Sequence, residues 1–221
     1  MGSTLGQILP LALGVGINPL PIIAMILILL TPRAKASGLT FLAGWLLGLT
    51  AVGGVAIAIA NRTDLYASEG STLARWLRII VGIAVLALAA KQWLGRPRAG
   101  EDTKKPRWMA AIETFTPARS FRLGLILSGA NPKNVALTLA AAGIIVAEGL
   151  TVTEEVTLLA AFILVATAGV ATPLVVFLVS GSAATRVLEA WGAWLQRNNA
   201  VIMSIVLLVI GLLLLVKGFT G

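Results

Sequence analysis

The side chain with the clearest capacity for chemistry is Lys133, because it lies near the middle of an apolar segment. A lysine at the centre of a membrane helix costs about 2.5–3.5 kcal/mol to insert, so we expect it to face a wet cavity or a partner. Its positive charge favours an anionic group such as a sulfate, phosphate or carboxylate. The alternative is that the side chain snorkels to the membrane surface. Lys133 is therefore a candidate anion-binding residue.

Two Asn-Pro pairs, Asn18-Pro19 and Asn131-Pro132, interrupt apolar segments in the two halves of the chain. Proline has no N–H and clashes with the carbonyl one turn back, so a helix kinks or breaks there. The helix that restarts after such a break presents free N–H groups and a positive dipole end. Interrupted helices at corresponding places in two halves are the best sequence pointer to a transporter's binding site.

The candidate substrate-binding residues surround these two breaks: Asn18, Pro19, Pro21, Asn131, Pro132, Lys133 and Asn134. The prolines would hold the helices open, and the asparagine amides would supply uncharged donors and acceptors. The alternative is that these amides only repair the breaks through hydrogen bonds between helices. The candidate hinge residues are Gly14, Gly16, Gly129 and Pro173.

The elements that position these residues are apolar segments long enough to cross a bilayer, which requires about 20 residues. Six such segments lie at 7–30, 38–60, 76–94, 121–147, 155–180 and 199–217. We predict an all-α membrane protein with six transmembrane helices arranged as two inverted three-helix repeats, the first and fourth helices being broken at Asn-Pro. The repeats cover 1–94 and 121–221, and 95–120 is a basic cytoplasmic connection. Three spans per repeat is an odd number, so the second repeat must be inverted.

Smaller features refine this plan. Gly44 and Gly48 have the small-xxx-small spacing that lets two membrane helices pack closely. The segments 108–115 and 184–197 have apolar residues on one helical face, which predicts short helices lying on the membrane surface.

The distribution of basic residues predicts the orientation. With both termini outside, the cytoplasmic side receives twelve Lys and Arg residues and the outer side four, as the positive-inside rule requires. We expect a multi-pass membrane protein whose first span is retained rather than cleaved. Glu148 and Glu155 then lie at the outer margin of the predicted spans.

Composition excludes several function classes. Hydrophobic residues make up 58% of the chain, charged residues 12%, and the mean hydropathy is +0.96. With no cysteine and no histidine, thiol chemistry and imidazole relays are excluded. Apart from the marginal Glu148 and Glu155, no acidic residue lies within the predicted spans, so a metal site or a titratable carboxyl for proton coupling has no obvious candidate, whereas sodium coupling through backbone carbonyls stays open. We expect no metal, no cofactor and no enzymatic activity, because no nucleophile–base constellation is visible. The net charge of +8 is attributed to residues that flank the spans, so we expect no nucleic acid partner.

Three stretches resemble a known family. These are Asn-Pro-Leu-Pro at 18–21, Leu-Gly-Leu-Ile-Leu-Ser-Gly-Ala-Asn-Pro-Lys-Asn at 123–134, and Ala-Ala-Ala-Gly at 140–143. They are similar to the GAP family of peptidoglycolipid- and sulfolipid-addressing proteins in the LysE transporter superfamily, and the similarity spans nearly the whole chain. The resemblance implies a six-helix inner-membrane protein that helps to move a cell-envelope glycolipid outward.

The residues and the resemblance together predict an exporter of an anionic or polar cell-envelope glycolipid. The expected partners are membrane lipids, the glycolipid itself, and lipid-synthesis or export proteins at the basic connection; a homo-oligomer is compatible with the chain. One alternative is a small-solute exporter, for example of amino acids. The other is a non-transporting scaffold for lipid export.

Overall fold

A computed structural model describes residues 1–62, 72–96 and 115–220, and all of its regular elements are helices. The α-helices are α1 (Gly2–Gly16), α2 (Pro19–Leu29), α3 (Ala34–Ala60), α4 (Thr72–Leu94), α5 (Pro117–Gly129), α6 (Pro132–Ala147), α7 (Val152–Ser180) and α8 (Ala184–Thr220). A short 3₁₀ turn, Gly181–Ala183, connects α7 to α8. The predicted all-α class is confirmed for the described part of the chain.

Side-chain caps explain where several helices begin. Thr116 accepts the backbone N–H of Arg119 at the start of α5, where Pro117 fits because the first helical N–H needs no partner. Thr151 begins α7 with a capping box, in which its hydroxyl accepts the N–H of Glu154 and the Glu154 carboxylate accepts the N–H of Thr151.

Two pairs of helices are bent at the predicted Asn-Pro positions. The axes of α1 and α2 differ by 50°, and those of α5 and α6 by 59°. Among the described residues three helices are long and apolar enough to cross a membrane, and the number rises to five if each bent pair is one span. The length and hydropathy of these helices indicate that the chain is a membrane protein. The predicted segment 76–94 corresponds to α4, in which the described apolar stretch is Val85–Leu94.

Glycines bring α3 and α5 into backbone contact. A Cβ added at Gly44 would collide with the carbonyl oxygen of Phe121, and one added at Gly124 would collide with the carbonyl oxygen of Phe41. One turn further, Gly48 lies against Ser128. The successive contacts advance along both helices, so α3 and α5 run in the same direction. The predicted close packing at Gly44 and Gly48 is confirmed, and its partner is α5.

An equivalent contact joins the first bent pair to α7. A Cβ added at Gly169 would collide with the carbonyl oxygen of Gly16, and one added at Gly16 would lie 3.1 Å from the carbonyl oxygen of Val165. The last helices of the two halves, α4 and α8, meet at Gly82 and Gly211. Each bent pair therefore packs against the long helix that follows the other bent pair.

Segment 184–197 differs from its predicted role as a separate surface helix. It is the first part of α8, which continues without interruption for 37 residues. Leu188 and Leu195 are buried, and a Cβ at Gly192 would lie 3.2 Å from Ile26 of α2. The polar run at 196–199 contains no proline or glycine, and polarity alone does not end a helix. The predicted surface helix at 108–115 lies almost entirely outside the described residues.

Candidate functional site

At the first break, the side chain of Asn18 caps α2, the helix that begins after the break. Asn18 has extended backbone angles, and its Oδ1 accepts the backbone N–H of Leu20 at 3.4 Å. Pro19 occupies the first position of α2, where its missing N–H costs nothing. Gly16, Asn18 and Pro19 are all buried. Apart from the exposed Ile17, the first break is thus enclosed by the protein.

The second break repeats this chemistry in a more open setting. Asn131 is also extended, its Oδ1 accepts the backbone N–H of Lys133 at 3.1 Å, and Pro132 takes the first position of α6. Here, however, Ala130 and Pro132 are exposed. The two breaks share a capping geometry and differ in what covers them.

Each break leaves several backbone carbonyls without helical donors, and α6 satisfies one of them at each break. In a continuous helix the carbonyl of Gly14 would accept from residue 18 and that of Leu127 from residue 131. Instead, Lys133 Nζ donates to the Gly14 oxygen at 2.8 Å, and Asn134 Nδ2 donates to the Leu127 oxygen at 2.9 Å. Lys133 therefore reaches across to the other half of the chain and joins the two breaks.

The positive charge of Lys133 lies in a favourable electrostatic environment at the end of α1. The end of α1 carries the negative end of a helix dipole, which an ammonium group stabilises. An ammonium group has three donors, and the Gly14 carbonyl uses one. The Lys133 side chain is partly buried, and among the described residues no acidic side chain forms a salt bridge with it. The remaining donors can therefore serve an anion.

The other predicted residues lie close to the same region. Pro21 is buried in the first turn of α2. A Cβ added at Gly129 would lie 3.4 Å from Gly48, so this glycine sits where the second break contacts α3. Pro173 lies inside an uninterrupted α7 and deprives the carbonyl of Gly169 of its helical donor, next to the contact with Gly16. The predicted site and hinge residues thus surround the breaks, and their roles remain predictions.

Some buried polar atoms near the breaks have no hydrogen-bond partner among the described residues. Asn134 is fully buried and its Oδ1 is unpaired, although its Nδ2 is bonded. The hydroxyl of Thr167, on α7 close to Gly16, is also buried and unpaired. Leaving such a group unpaired costs about 1–3 kcal/mol. These atoms are available to a ligand, to water or to another arrangement of the helices.

The sequence alone did not indicate the packing role of Gly124 and Ser128 or the burial of Glu155. Gly124 and Ser128 have the same small-xxx-small spacing as Gly44 and Gly48, and this spacing could have identified α5 as the partner of α3. Glu155, predicted to lie at the margin of a span, is only 3% exposed and accepts a hydrogen bond from Asn61. No local pattern in the sequence indicates that pairing.

The helices and the joined breaks define a class: a helical membrane protein with two interrupted helices that meet at one lysine. The comparison with protein families then identifies the chain. It belongs to the family described as Sap, sulfolipid-1-addressing protein, whose model matches residues 8–220. The predicted membership in the family of sulfolipid-addressing proteins is confirmed. Neither the curated proteins nor the solved structures gave a match.

Proposed function

We propose that this protein transports a polar or anionic cell-envelope glycolipid toward the outer face of the membrane. The observation that carries the proposal is the bond from Lys133 Nζ to the Gly14 oxygen, because it places an ammonium group between two helix breaks. The family description, which names a sulfolipid, agrees with a lipid cargo. Lys133 would bind the anionic part of the headgroup, and Asn18, Asn131 and Asn134 would orient it.

The different surroundings of the two breaks favour a lipid over a small solute. A substrate that keeps its acyl chains in the bilayer needs a binding site that is open to the side. Ala130 and Pro132 are exposed on the surface of the second bent pair, whereas α8 covers the first bent pair through Ile210 at Gly14 and Ile26 at Gly192. A headgroup could reach Lys133 past the second break while its chains remain in lipid.

Matched contacts support the inverted-repeat plan and with it a LysE-type transporter. The first break packs on α7 at Gly169, the second break packs on α3 at Gly48, and Gly82 meets Gly211. Exchanging the two halves converts the first contact into the second and returns the third to itself. Inverted repeats of this kind allow a central site to open alternately to each side.

The remaining assignments complete the proposal. The protein would lie in the bacterial cytoplasmic membrane with both termini outside, and the basic connection at 95–120 would contact lipid-synthesis or export proteins. The family is one of addressing proteins, in agreement with a non-enzymatic role. A small-solute exporter on the same scaffold would need the second break to be closed off from lipid.

Mass spectrometry of the lipid retained by gently purified protein tests this proposal. The wild type should retain an anionic or polar glycolipid, and Lys133→Ala should lose it. Lys35→Ala is a matched control, since it removes the same charge from an exposed position at the start of α3. Equal retention by wild type and Lys133→Ala would remove Lys133 from the site. If none of the three proteins retains a specific lipid, the small-solute exporter becomes the better account.

A further inference from the structure

A buried carboxylate lies at the end of the bundle where α3 stops and α7 starts. Glu155, in the first turn of α7, is the one acidic side chain that is buried in the described part of the chain. Its Oε2 accepts a hydrogen bond of 2.8 Å from Nδ2 of Asn61, the residue that follows α3. This pair joins the ends of two helices that are distant in sequence.

Helices α3 and α7 run antiparallel and touch along their length. From the Glu155 end they meet at Gly53 and Leu159, and near the other end at Gly38 and Leu174. We call this contact, from Asn61–Glu155 to Gly38–Leu174, the α3–α7 seam. The Glu155–Asn61 bond closes one end of the seam.

The seam lies between the two breaks. Gly48 of α3 supports the second break, and Gly169 of α7 supports the first. A motion that carries α3 with the second break away from α7 with the first break would open the α3–α7 seam at its Glu155 end. The Glu155–Asn61 bond opposes that motion.

The strength of this bond depends on the protonation of Glu155. A hydrogen bond to an ionised carboxylate is roughly twice as strong as one between neutral groups. The described charged groups at the same end are the amino terminus before α1, Arg62 after α3, Glu148 after α6 and Glu154 beside Glu155, and none of them forms an ion pair with Glu155. Asn61 is exposed, so protons of the medium reach the edge of the pair.

We propose that Glu155 is a proton-binding site that controls opening of the α3–α7 seam. A proton taken from the medium, predicted to be the outer side, adds to the carboxylate, weakens the bond from Asn61 and lets the seam open. Loss of the proton restores the bond and closes it. This inference supplies the titratable carboxyl that the sequence did not indicate.

The natural absence of cysteine makes the test direct, because spin labels can be placed at chosen pairs of positions. Val55 and Val152 are exposed near the Glu155 end of α3 and α7, and Lys35 and Val179 are exposed near the other end. Double electron–electron resonance of both label pairs would be measured in lipid nanodiscs at about pH 8 and about pH 3.5, values on either side of the ordinary pKa of a glutamate carboxyl.

On acidification, the ratio of long to short distances between labels at 55 and 152 should rise about fivefold, as expected from the weakening of one charged hydrogen bond. The pair at 35 and 179 should change less. Glu155→Gln should show the longer distance at both pH values, and so should Asn61→Ala. The variant Glu154→Gln, at the neighbouring and less buried carboxyl, should keep the pH response.

A distance between 55 and 152 that does not depend on pH in the wild type would overturn the proposal. A pH response that persists in Glu155→Gln or Asn61→Ala would overturn it as well. The measurement uses no glycolipid, so its failure leaves the assignment of Lys133 untouched.

Discussion

At the scale of single residues, the two breaks depend on side chains for bonds that a helix normally makes with its own backbone. Asn18 and Asn131 cap the helices that restart, while Lys133 and Asn134 each satisfy one of the carbonyls left at the ends of the preceding helices. Of these four side chains, only Lys133 bonds to the other half of the chain. A substrate anion that draws Lys133 away from the Gly14 oxygen would therefore loosen the contact between the halves.

The caps make a prediction about stability. Asn131→Ala and Asn18→Ala should each lower the free energy of unfolding by about 0.5–2 kcal/mol, the usual cost of losing a cap. Thermal unfolding in detergent would measure the loss. Asn198→Ala is the control, because its amide bonds to a carbonyl within the exposed part of α8. Equal effects at all three positions would contradict the capping role.

At the scale of elements, close approach of backbones sets the helix arrangement. The contacts of α3 with α5, of the first bent pair with α7, and of α4 with α8 all use glycine. Without a hydrophobic driving force in lipid, such close packing is a main source of helix association. The long helices thus hold the breaks in place through surfaces that tolerate no added side chain.

Two glycines of α3 provide a matched pair of substitutions. Gly44→Ala should destabilise the protein by about 1–3 kcal/mol or more, because the new methyl group would overpack the contact with Phe121. Gly54→Ala should be neutral or stabilising by up to about 1 kcal/mol, since nothing lies within 4 Å of its added Cβ and alanine favours the helix. Unfolding of both variants in the same detergent would show the difference. Similar stabilities would mean that α3 and α5 do not pack through Gly44.

Sequence patterns predicted the positions of both breaks and the α3 side of the α3–α5 contact. Both predictions depend only on neighbouring residues, namely proline geometry and the spacing of small residues. The partners of these features were not predictable. The Gly14 carbonyl that meets Lys133 and the Asn61 amide that meets Glu155 depend on how distant helices cross. The prediction of a separate surface helix at 184–197 was wrong, since its apolar face, which contains Leu188 and Leu195, packs against the bundle and the helix continues to Thr220.

At the scale of the whole molecule, the helix directions place several chain segments at one end. The end of α3 and the start of α7 meet there, and α1 starts there because it runs alongside α7. This geometry agrees with the predicted inverted repeats and with an amino terminus on the same side as Glu148.

Labelling of single cysteines tests this topology. Ser3→Cys and Glu148→Cys should react with a membrane-impermeant maleimide in intact cells, and Lys35→Cys should react only after permeabilisation. All three positions are exposed. If Ser3→Cys and Glu148→Cys react from opposite sides of the membrane, the inverted-repeat plan is contradicted.

The role proposed for Lys133, at the junction of the two breaks, is to bind the anionic part of an exported glycolipid. The most direct measurement is the amount of anionic glycolipid at the cell surface, in the native host lacking the gene and supplied with wild type, Lys133→Ala or Lys35→Ala at equal protein levels. Wild type and Lys35→Ala should restore surface glycolipid, whereas Lys133→Ala should leave it inside although the protein is folded. Full restoration by Lys133→Ala would show that Lys133 does not bind the exported glycolipid.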